Sequence, residues 1–532
     1  MTDSKVLIES GKAVLGIEFG STRIKGVLID PASGEVIASG DHTWENRLEN
    51  GLWTYHEDEI IAGLQDTYKN VAADVKKRYG APLKKLGALG ISAMMHGYLP
   101  FDKDGKLIAA FRTWRNTNTR KASEKLTELF GFNIPERWSV SHLYQCMLDK
   151  EAHLKDLCSF TTLSGFIHWK LTGRRVLGIG DAAGMFPIDS DSHDYRKDFA
   201  EKFDAVIKEH GYSFKILDLL PQVLVAGQDA GTLTEEGAKL LDPSGVLEAG
   251  VPMCPPEGDA GTGMVATNSV GVRTGNVSAG TSIFAMIVLE RALKGLHREI
   301  DNVTTPDGSQ VAMVHANNCT SDLNAWVGIF REFAKASGHE MSDTELFSLL
   351  YNRALTDADP DCGGVLSYGY LSGEFITGME EGRPLLVRTP EAHFTLGNLM
   401  RSNLCTSLGA IRLGMDILKK EHVKIDKLLG HGGLFKTKGV GQTIMADALD
   451  TPVWVMTTAG EGGPWGMAVL AAYLIEKDQG ETLPHFLDTR IFKDAAGTKV
   501  DPDEKGVKGF DAFMKRYVAC LPAEKAACET LK

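Results

Sequence analysis

Two short β-hairpins built around the same kind of turn, one near the N-terminus and one at mid-chain, constrain the fold more than any other feature of this sequence. In the first, an apolar run over 13–19 meets the turn Gly20-Ser21-Thr22 and a second apolar run over 24–30, after which a turn at 31–34 leads into a third strand over 35–39. In the second, Val-rich and Ala/Ile-rich runs within 272–287 flank Gly280-Thr281-Ser282. Turns of this kind present backbone N–H groups that wrap an anion. A P-loop or dinucleotide fingerprint instead requires a helix straight after the glycines, with GxxxxGK[ST] or GxGxxG spacing, and neither is present. The repetition predicts two lobes made on one plan by internal duplication, each hairpin holding one end of a polyphosphate. Just before the second hairpin, Asp259 is flanked by Gly258, Gly261 and Gly263, a backbone that lets a ligand approach its carboxylate as a general base requires. Taken alone, this stretch is equally compatible with two ordinary glycine turns.

At 532 residues the chain exceeds a single core, and two large lobes fit it best. Its 43% hydrophobic and 24% charged residues are ordinary for a globular protein and exclude a disordered or coiled-coil chain. The net charge of −13 disfavours nonspecific binding to nucleic acid or anionic membrane. Eight singly placed cysteines without a CxxC offer neither a zinc site nor a disulfide framework, and no window reaches about 18 consecutive apolar residues. With no signal-peptide pattern at the N-terminus, a cytoplasmic protein is expected.

Apolar residues at helical spacing (Ile61, Leu64, Tyr68, Val71, Val75) predict a helix over 58–79. A buried strand over 87–92 then delivers Met95-His96-Gly97 at a strand end, where α/β proteins place ligand contacts, although a lone histidine is more often structural. A strand over 107–111 precedes Trp114-Arg115-Asn116, a helix over 160–172 precedes Gly180-Asp181-Ala182-Ala183-Gly184, and a strand over 250–254 leads into Asp259. Beyond the second hairpin the pattern predicts helices over 317–337 and 394–419, a strand and turn over 366–373, and a strand over 427–430 running into Gly432-Gly433. A helix over 441–450, a strand over 452–456 and a helix over 465–475 opened by Glu461 and its glycines complete a layout suited to a nucleoside, and equally to plain α/β structure. The last helix spans 509–531, with no chemistry assigned to it.

In order, GIEFGSTRIKGVLID, GISAMMHGYLPFD, GDAAGMFPID, EGDAGTGMV, SAGTS, GYLSGE and HGGLFKTKGVGQTIMADALDTPV with EGGPWGMAVLAA resemble the FGGY family of carbohydrate kinases over about residues 13–475. The resemblance implies an α/β, two-lobed actin/hexokinase-like ATPase fold of duplicated ribonuclease-H-like domains with a cleft between the lobes. It implies an N-terminal lobe over 12–268, a C-terminal lobe over 269–485 and a C-terminal extension over 486–532. Asp259 matches the family's catalytic base. Met95, His96 and Trp114 match its sugar pocket, Gly20, Ser21, Thr22 and Lys25 its first phosphate hairpin, and Gly280, Thr281 and Ser282 its second. Gly432, Gly433, Lys436 and Glu461 match the nucleotide end, and Glu18 with Asp259 the magnesium site. ATP and Mg2+ are the implied cofactors, a small sugar and ATP the partners, with no nucleic acid or membrane and with a homodimer allowed.

Three departures bear on the substrate. Glu18 stands where the family usually carries Asp, Ala260-Gly261 follow the base where many members have Gln or Asn, and residues 114–116 read Trp-Arg-Asn rather than Trp-Asn-Asp. Met95-His96-Gly97 leans toward the xylulokinase-like and ribulokinase-like branches, so D-xylulose and L-ribulose lead, with rhamnulose, fuculose, glycerol, gluconate and erythritol as alternatives. A nucleotide-gated ATPase or a silent sugar sensor on the same fold are the readings from other classes.

Overall fold

The N-terminal hairpin forms from its two apolar runs: β1 (Val14–Phe19) pairs antiparallel with β2 (Arg23–Ile29), Val14 opposite Ile29 and Phe19 opposite Ile24. In the computed structural model, which describes residues 2–456 and 462–532, β3 (Val36–Thr43) continues the sheet antiparallel. Helix α1 (Glu57–Tyr79) buries Ile60, Leu64, Tyr68, Val71 and Val75 and packs on β3 and β2. Its acidic first turn, basic last turn and left-handed Gly80 (φ 70°) fix its ends. The chain crosses to β4 (Ala88–Ala93), which pairs parallel with β1, and after an insertion holding α2 (Ser139–Asp149) it returns as the two-residue β5 (Glu257–Gly258), parallel to β4. The strand order is β5-β4-β1-β2-β3, and α3 (Asp259–Ala266) starts directly from β5.

The second hairpin repeats this plan. β6 (Thr274–Ala279) and β7 (Ile283–Val288) pair antiparallel. β8 (Ile300–Thr304) and β9 (Gln310–Ala316) follow, then α4 (Ser321–Ala336), α5 (Leu396–Thr406) and α6 (Gly409–Lys420). β10 (Lys427–His431) pairs parallel with β6, and after α7 (Val440–Leu449), β11 (Val453–Met456) pairs parallel with β10. Helix α8 (Gly462–Glu476), β12 (Gly497–Val500) and α9 (Glu504–Thr530) end the chain. The order β8-β9-β7-β6-β10-β11-β12 contains the kernel of the first sheet, a hairpin extended by one strand on one side and by two parallel strands on the other.

Four expectations are corrected. Residues 107–111 form no strand; Leu107 and Arg112 make only isolated bridges, to Phe101 and Tyr98. The segment 160–172 opens as a short strand, Ser159–Thr161, and turns helical at Leu163, where Thr162 accepts from the Gly165 N–H. Within 250–254 only bridges occur, Pro252 to Thr232 and Met253 to Leu89, and the strand that reaches Asp259 is β5. The single helix expected over 394–419 is α5 and α6, broken at Ser407-Leu408, where the Ser407 hydroxyl bonds back to the Asn403 carbonyl.

The chain divides into two compact units, residues 1–270, 302–311 and 459–495 in the first and 271–301, 312–458 and 496–532 in the second. This differs from a boundary at 485, because α8 packs on β1, β2, β4 and α3 of the first unit. Nor is the C-terminal segment an appendage: Phe510, Phe513 and Tyr517 of α9 belong to the core of the second unit. Among the described residues no helix is long and apolar enough to cross a membrane. Phe513 is fully buried, so Phe513→Ala is expected to destabilise the second unit by about 3–5 kcal/mol, read as a lower urea midpoint; an unchanged midpoint would show that α9 adds nothing to that core.

Candidate active site

The first site residues meet at the ends of the parallel strands of the first unit. Because Glu18 is opposite both Lys25 and Ser92, and Ser92 is opposite Glu257, the register sets Glu257, Ser92, Glu18 and Lys25 in one row on one sheet face. Thr262 of α3 joins the row, its hydroxyl within 3.3 Å of Ser92 Oγ and of Glu18 Oε2. Asp259, in the first turn of α3, keeps solvent-accessible surface, and its Oδ1 accepts from the Met95 N–H at 3.1 Å. Strand β4 therefore carries Met95 and His96 to the carboxylate through the backbone.

The turn Gly20-Ser21-Thr22 is fastened from outside. Trp44 Nε1 donates to the Gly20 carbonyl at 2.8 Å, Tyr55 OH donates to the Ser21 carbonyl at 2.6 Å, and the two rings stack at 4.0 Å. Trp114, 40% exposed, donates to Ser21 Oγ at 3.3 Å. The guanidinium carbon of its neighbour Arg115 sits over the Trp53 ring, 3.7 Å from its centre, while Asn116 exchanges hydrogen bonds with the Trp53 backbone at 2.9 and 2.8 Å. Trp44, Tyr55 and Trp53 were not anticipated, since nothing in sequence ties an aromatic residue to a distant turn. His96 is buried and has φ 69°, an unusual backbone for a non-glycine residue. Burial, then the nearby Arg137 cation, holds its pKa well below the usual histidine range, so it is neutral.

In the second unit, the carbonyl of Gly280 accepts from the Thr320 N–H and hydroxyl, and the carbonyl of Thr281 from the Cys319 N–H. With the carbonyls held from behind, the exposed Thr281 and partly exposed Gly280 and Ser282 form the open edge of the turn. The buried Glu374, in the segment GYLSGE, accepts from the N–H groups of Asn317 and Asn318 and so fixes the loop that supplies Cys319 and Thr320. Ser278 and His431 are register partners on parallel strands, which brings the Gly280 turn and Gly432-Gly433 to the same end of one sheet. Gly432 has φ 101° and passes the Ala279 backbone too closely for a Cβ. Lys436 is exposed beside them, and Glu461 lies outside the described residues.

Beneath Asp259 sit two further carboxyl groups. Glu257 accepts from the Gly180 and Asp181 N–H groups at 3.3 and 3.0 Å, and Gly178 and Gly180 are shaped around it with no room for a side chain. The Oδ2 of Asp181 accepts from Thr162 and Ser164 at 2.7 and 2.5 Å. Burial, then the Asp181 charge, pushes Glu257 up to about 8, and burial raises Asp181 to about 7. Burial, then the Asp259 charge, pushes Glu18 up to about 8, and desolvation by the surrounding protein raises Asp259 as well, although Asp259 keeps exposed surface. Glu18 and Asp259 offer hard oxygen donors that repel one another, and Gly463 leaves no side chain over Glu18, an arrangement that suits a divalent cation such as Mg2+. For Glu257 the pH consequence is direct. The native carboxyl keeps its proton up to about pH 8 and an unfolded glutamate loses it from about pH 4.5, so the native state binds more protons in that window and stability falls as pH rises through it. In the metal-free protein, Glu257→Gln is expected to flatten this decline by up to about 3 kcal/mol in urea unfolding between about pH 5 and 8; an identical slope would exclude a protonated Glu257.

With this geometry in place, comparison with known proteins identifies the family. Residues 13–265 match the FGGY family of carbohydrate kinases, N-terminal domain, and residues 275–475 its C-terminal domain. The xylulose kinase of Haemophilus influenzae is 22% identical over 521 residues, covering 95% of this chain and 99% of that one. A glycerol kinase of Thermococcus kodakarensis is 23% identical over 243 residues, 41% of this chain and 48% of that protein. Among solved structures, gluconate kinase from Lactobacillus acidophilus superposes with a TM-score of 0.77 at 16% identity, covering 97% of this chain and 99% of that one. Xylulose kinase from Bifidobacterium adolescentis superposes at 0.71 and 17%, covering 96% and 100%. These likenesses give the two-lobed, actin-like ATPase fold. The chain belongs to the FGGY family of carbohydrate kinases and is a phosphotransferase that uses ATP.

Proposed function

We propose that this kinase transfers the γ-phosphoryl group of ATP to the terminal C5 hydroxyl of a free ketopentose, D-xylulose or L-ribulose, with Asp259 as general base. The observation that carries this reading is the bond between Met95 N–H and Asp259, which sets the carboxylate beside the strand end Met95-His96 that lines the sugar site in this reading. The recurrence of xylulose kinases among relatives of nearly equal length supports the ketopentose.

In this mechanism Met95, His96 and Trp114 wall the sugar, and Asp259 accepts the C5 hydroxyl proton as that oxygen attacks the γ-phosphorus and ADP leaves. A carboxylate raised by desolvation is a stronger base than a free aspartate, which favours that transfer. Gly20, Ser21, Thr22 and Lys25 orient one end of the polyphosphate; Gly280, Thr281 and Ser282 orient the other. Gly432, Gly433 and Lys436 hold the nucleoside end, Glu461 having the same assignment from sequence alone. Mg2+ held by Glu18 and Asp259 would offset phosphate charge, and the extra methylene of Glu18 lengthens its reach toward the ion.

The test is ADP release from magnesium-ATP with D-xylulose, L-ribulose, gluconate, glycerol and a no-sugar blank. One ketopentose is expected to exceed every other acceptor by at least about tenfold in kcat/KM. A larger response to gluconate or glycerol would replace the ketopentose, and hydrolysis independent of sugar would point to an ATPase.

A further inference from the structure

The cysteines are scattered singly along the sequence, yet the fold of the second unit sets two of them in contact. Cys362 donates its S–H to Cys405 Sγ at 3.8 Å, and the two residues are 0% and 1% exposed. Cys405 lies in the last turn of α5, and Cys362 stands in the turn just before the strand Val365–Tyr368. Cys362, Gly363 and Gly364 have φ of 66°, 56° and 81°, a left-handed run that a residue other than glycine enters only at a cost. Pro360, Asp361, Gly363 and Gly364 keep exposed surface, so the buried Cys362 belongs to a turn that faces solvent. Two arginines fasten that turn: Arg401 of α5 donates from Nε to the Pro360 carbonyl at 3.1 Å, and Arg516 of α9 from Nη1 to the Asp361 carboxylate at 3.0 Å. Burial raises the Cys405 thiol, but the Cys362 hydrogen bond and then the Arg401 cation bring it below its ordinary range. A sulfur with thiolate character beside a second thiol is the arrangement in which an oxidised cysteine is resolved to a disulfide.

We propose that Cys362 and Cys405 are an oxidative modification site, a dithiol that hydrogen peroxide converts to a disulfide, and that the cross-link acts on ATP binding through the Gly280 turn. The Cys405 thiolate attacks one peroxide oxygen; the O–O bond breaks, hydroxide leaves and a sulfenic acid forms. The Cys362 sulfur then displaces the sulfenic hydroxyl, which leaves as water with the S–H proton. In sum the two thiols give up two electrons and two protons, and one peroxide becomes two waters. A molecule little larger than water reaches the pair by local opening of the turn at 361–364. Bonding draws the sulfurs from 3.8 Å to about 2 Å, and the turn is the side that yields, because Cys405 is anchored in a helix. From the turn, the strand Val365–Tyr368 runs into GYLSGE, where the Leu371 and Ser372 N–H groups donate to Asn318 Oδ1 at 3.0 and 3.1 Å and Glu374 accepts from Asn317 and Asn318. That loop supplies Cys319 and Thr320, which hold the Thr281 and Gly280 carbonyls. The effect on ATP rests on the phosphate role proposed for the Gly280 turn; the cross-link does not.

The experiment treats the folded enzyme with hydrogen peroxide, alkylates the remaining thiols after denaturation and maps the peptides by mass, with the ATP KM measured before and after on whichever acceptor the enzyme turns over. Wild type is expected to yield linked peptides carrying Cys362 and Cys405, and an ATP KM raised at least about fivefold, both reversed by dithiothreitol. Cys362→Ala is expected to form no link, to let dimedone trap a sulfenic acid at Cys405, and to keep its ATP KM within about twofold under peroxide. Cys405→Ala, which also cannot form the link, supplies the same KM control if Cys362→Ala does not fold. Both thiols still open to alkylation after a treatment that has consumed the exposed Cys158 would overturn the site. A cross-linked enzyme with an unchanged ATP KM would overturn the coupling. Gly280→Val, measured in the reduced enzyme, tests the turn by itself: an unchanged ATP KM there would remove the turn from the nucleotide site and the coupling with it, while the linked peptides are read independently of either.

Discussion

A single hydrogen bond, from the Met95 backbone N–H to the Asp259 carboxylate, sets the position of the proposed base. It joins the end of β4 to the first turn of α3 across a long insertion, and the geometry on either side serves to keep it. Below, Glu257 gathers the N–H groups of Gly180 and Asp181; alongside, Thr262 meets Glu18 and Ser92. Burying this many carboxyl groups would be prohibitive if all were ionised, and their raised pKa values are the relief, since protons stay on at least some of them near neutrality. A site of this kind is poised to receive positive charge, whether a proton or a divalent cation.

The second unit uses the same hairpin with other fastenings. The proposed anion-binding role requires the carbonyls of the turn to point away, and Thr320 and Cys319 hold them back, with Glu374 fixing the loop behind. In the first unit Trp44 and Tyr55 do that work from side chains. The shared strand order is thus kept while the fastenings differ, as expected when two copies of one plan diverge under the same geometric demand.

Much of the fold was legible because its signals are local. Apolar runs flanking Gly20-Ser21-Thr22 and Gly280-Thr281-Ser282 marked both hairpins, and Ile61, Leu64, Tyr68, Val71 and Val75 marked α1 to within a residue. The break at Ser407-Leu408 was not read from sequence: Gly409 stands directly after it, but a lone glycine inside a helical apolar pattern does not by itself mark a helix end. Glu257 and Asp181 fall in the segments EGDAGTGMV and GDAAGMFPID but received no role, because their burial comes from residues far away in sequence. The placement of α9 was within reach: Phe510, Phe513 and Tyr517 recur at helical spacing and declare a buried face.

The central claim is that Asp259 is a base and not merely a ligand. Asp259→Asn keeps the shape, but its amide cannot take up the hydroxyl proton. Measured together, single-turnover phosphoryl transfer and equilibrium binding of sugar and ATP are expected to show a rate at least about a thousandfold lower with both affinities within a few-fold of wild type. Transfer at a comparable rate, with binding intact, would contradict the account and remove Asp259 from the chemistry.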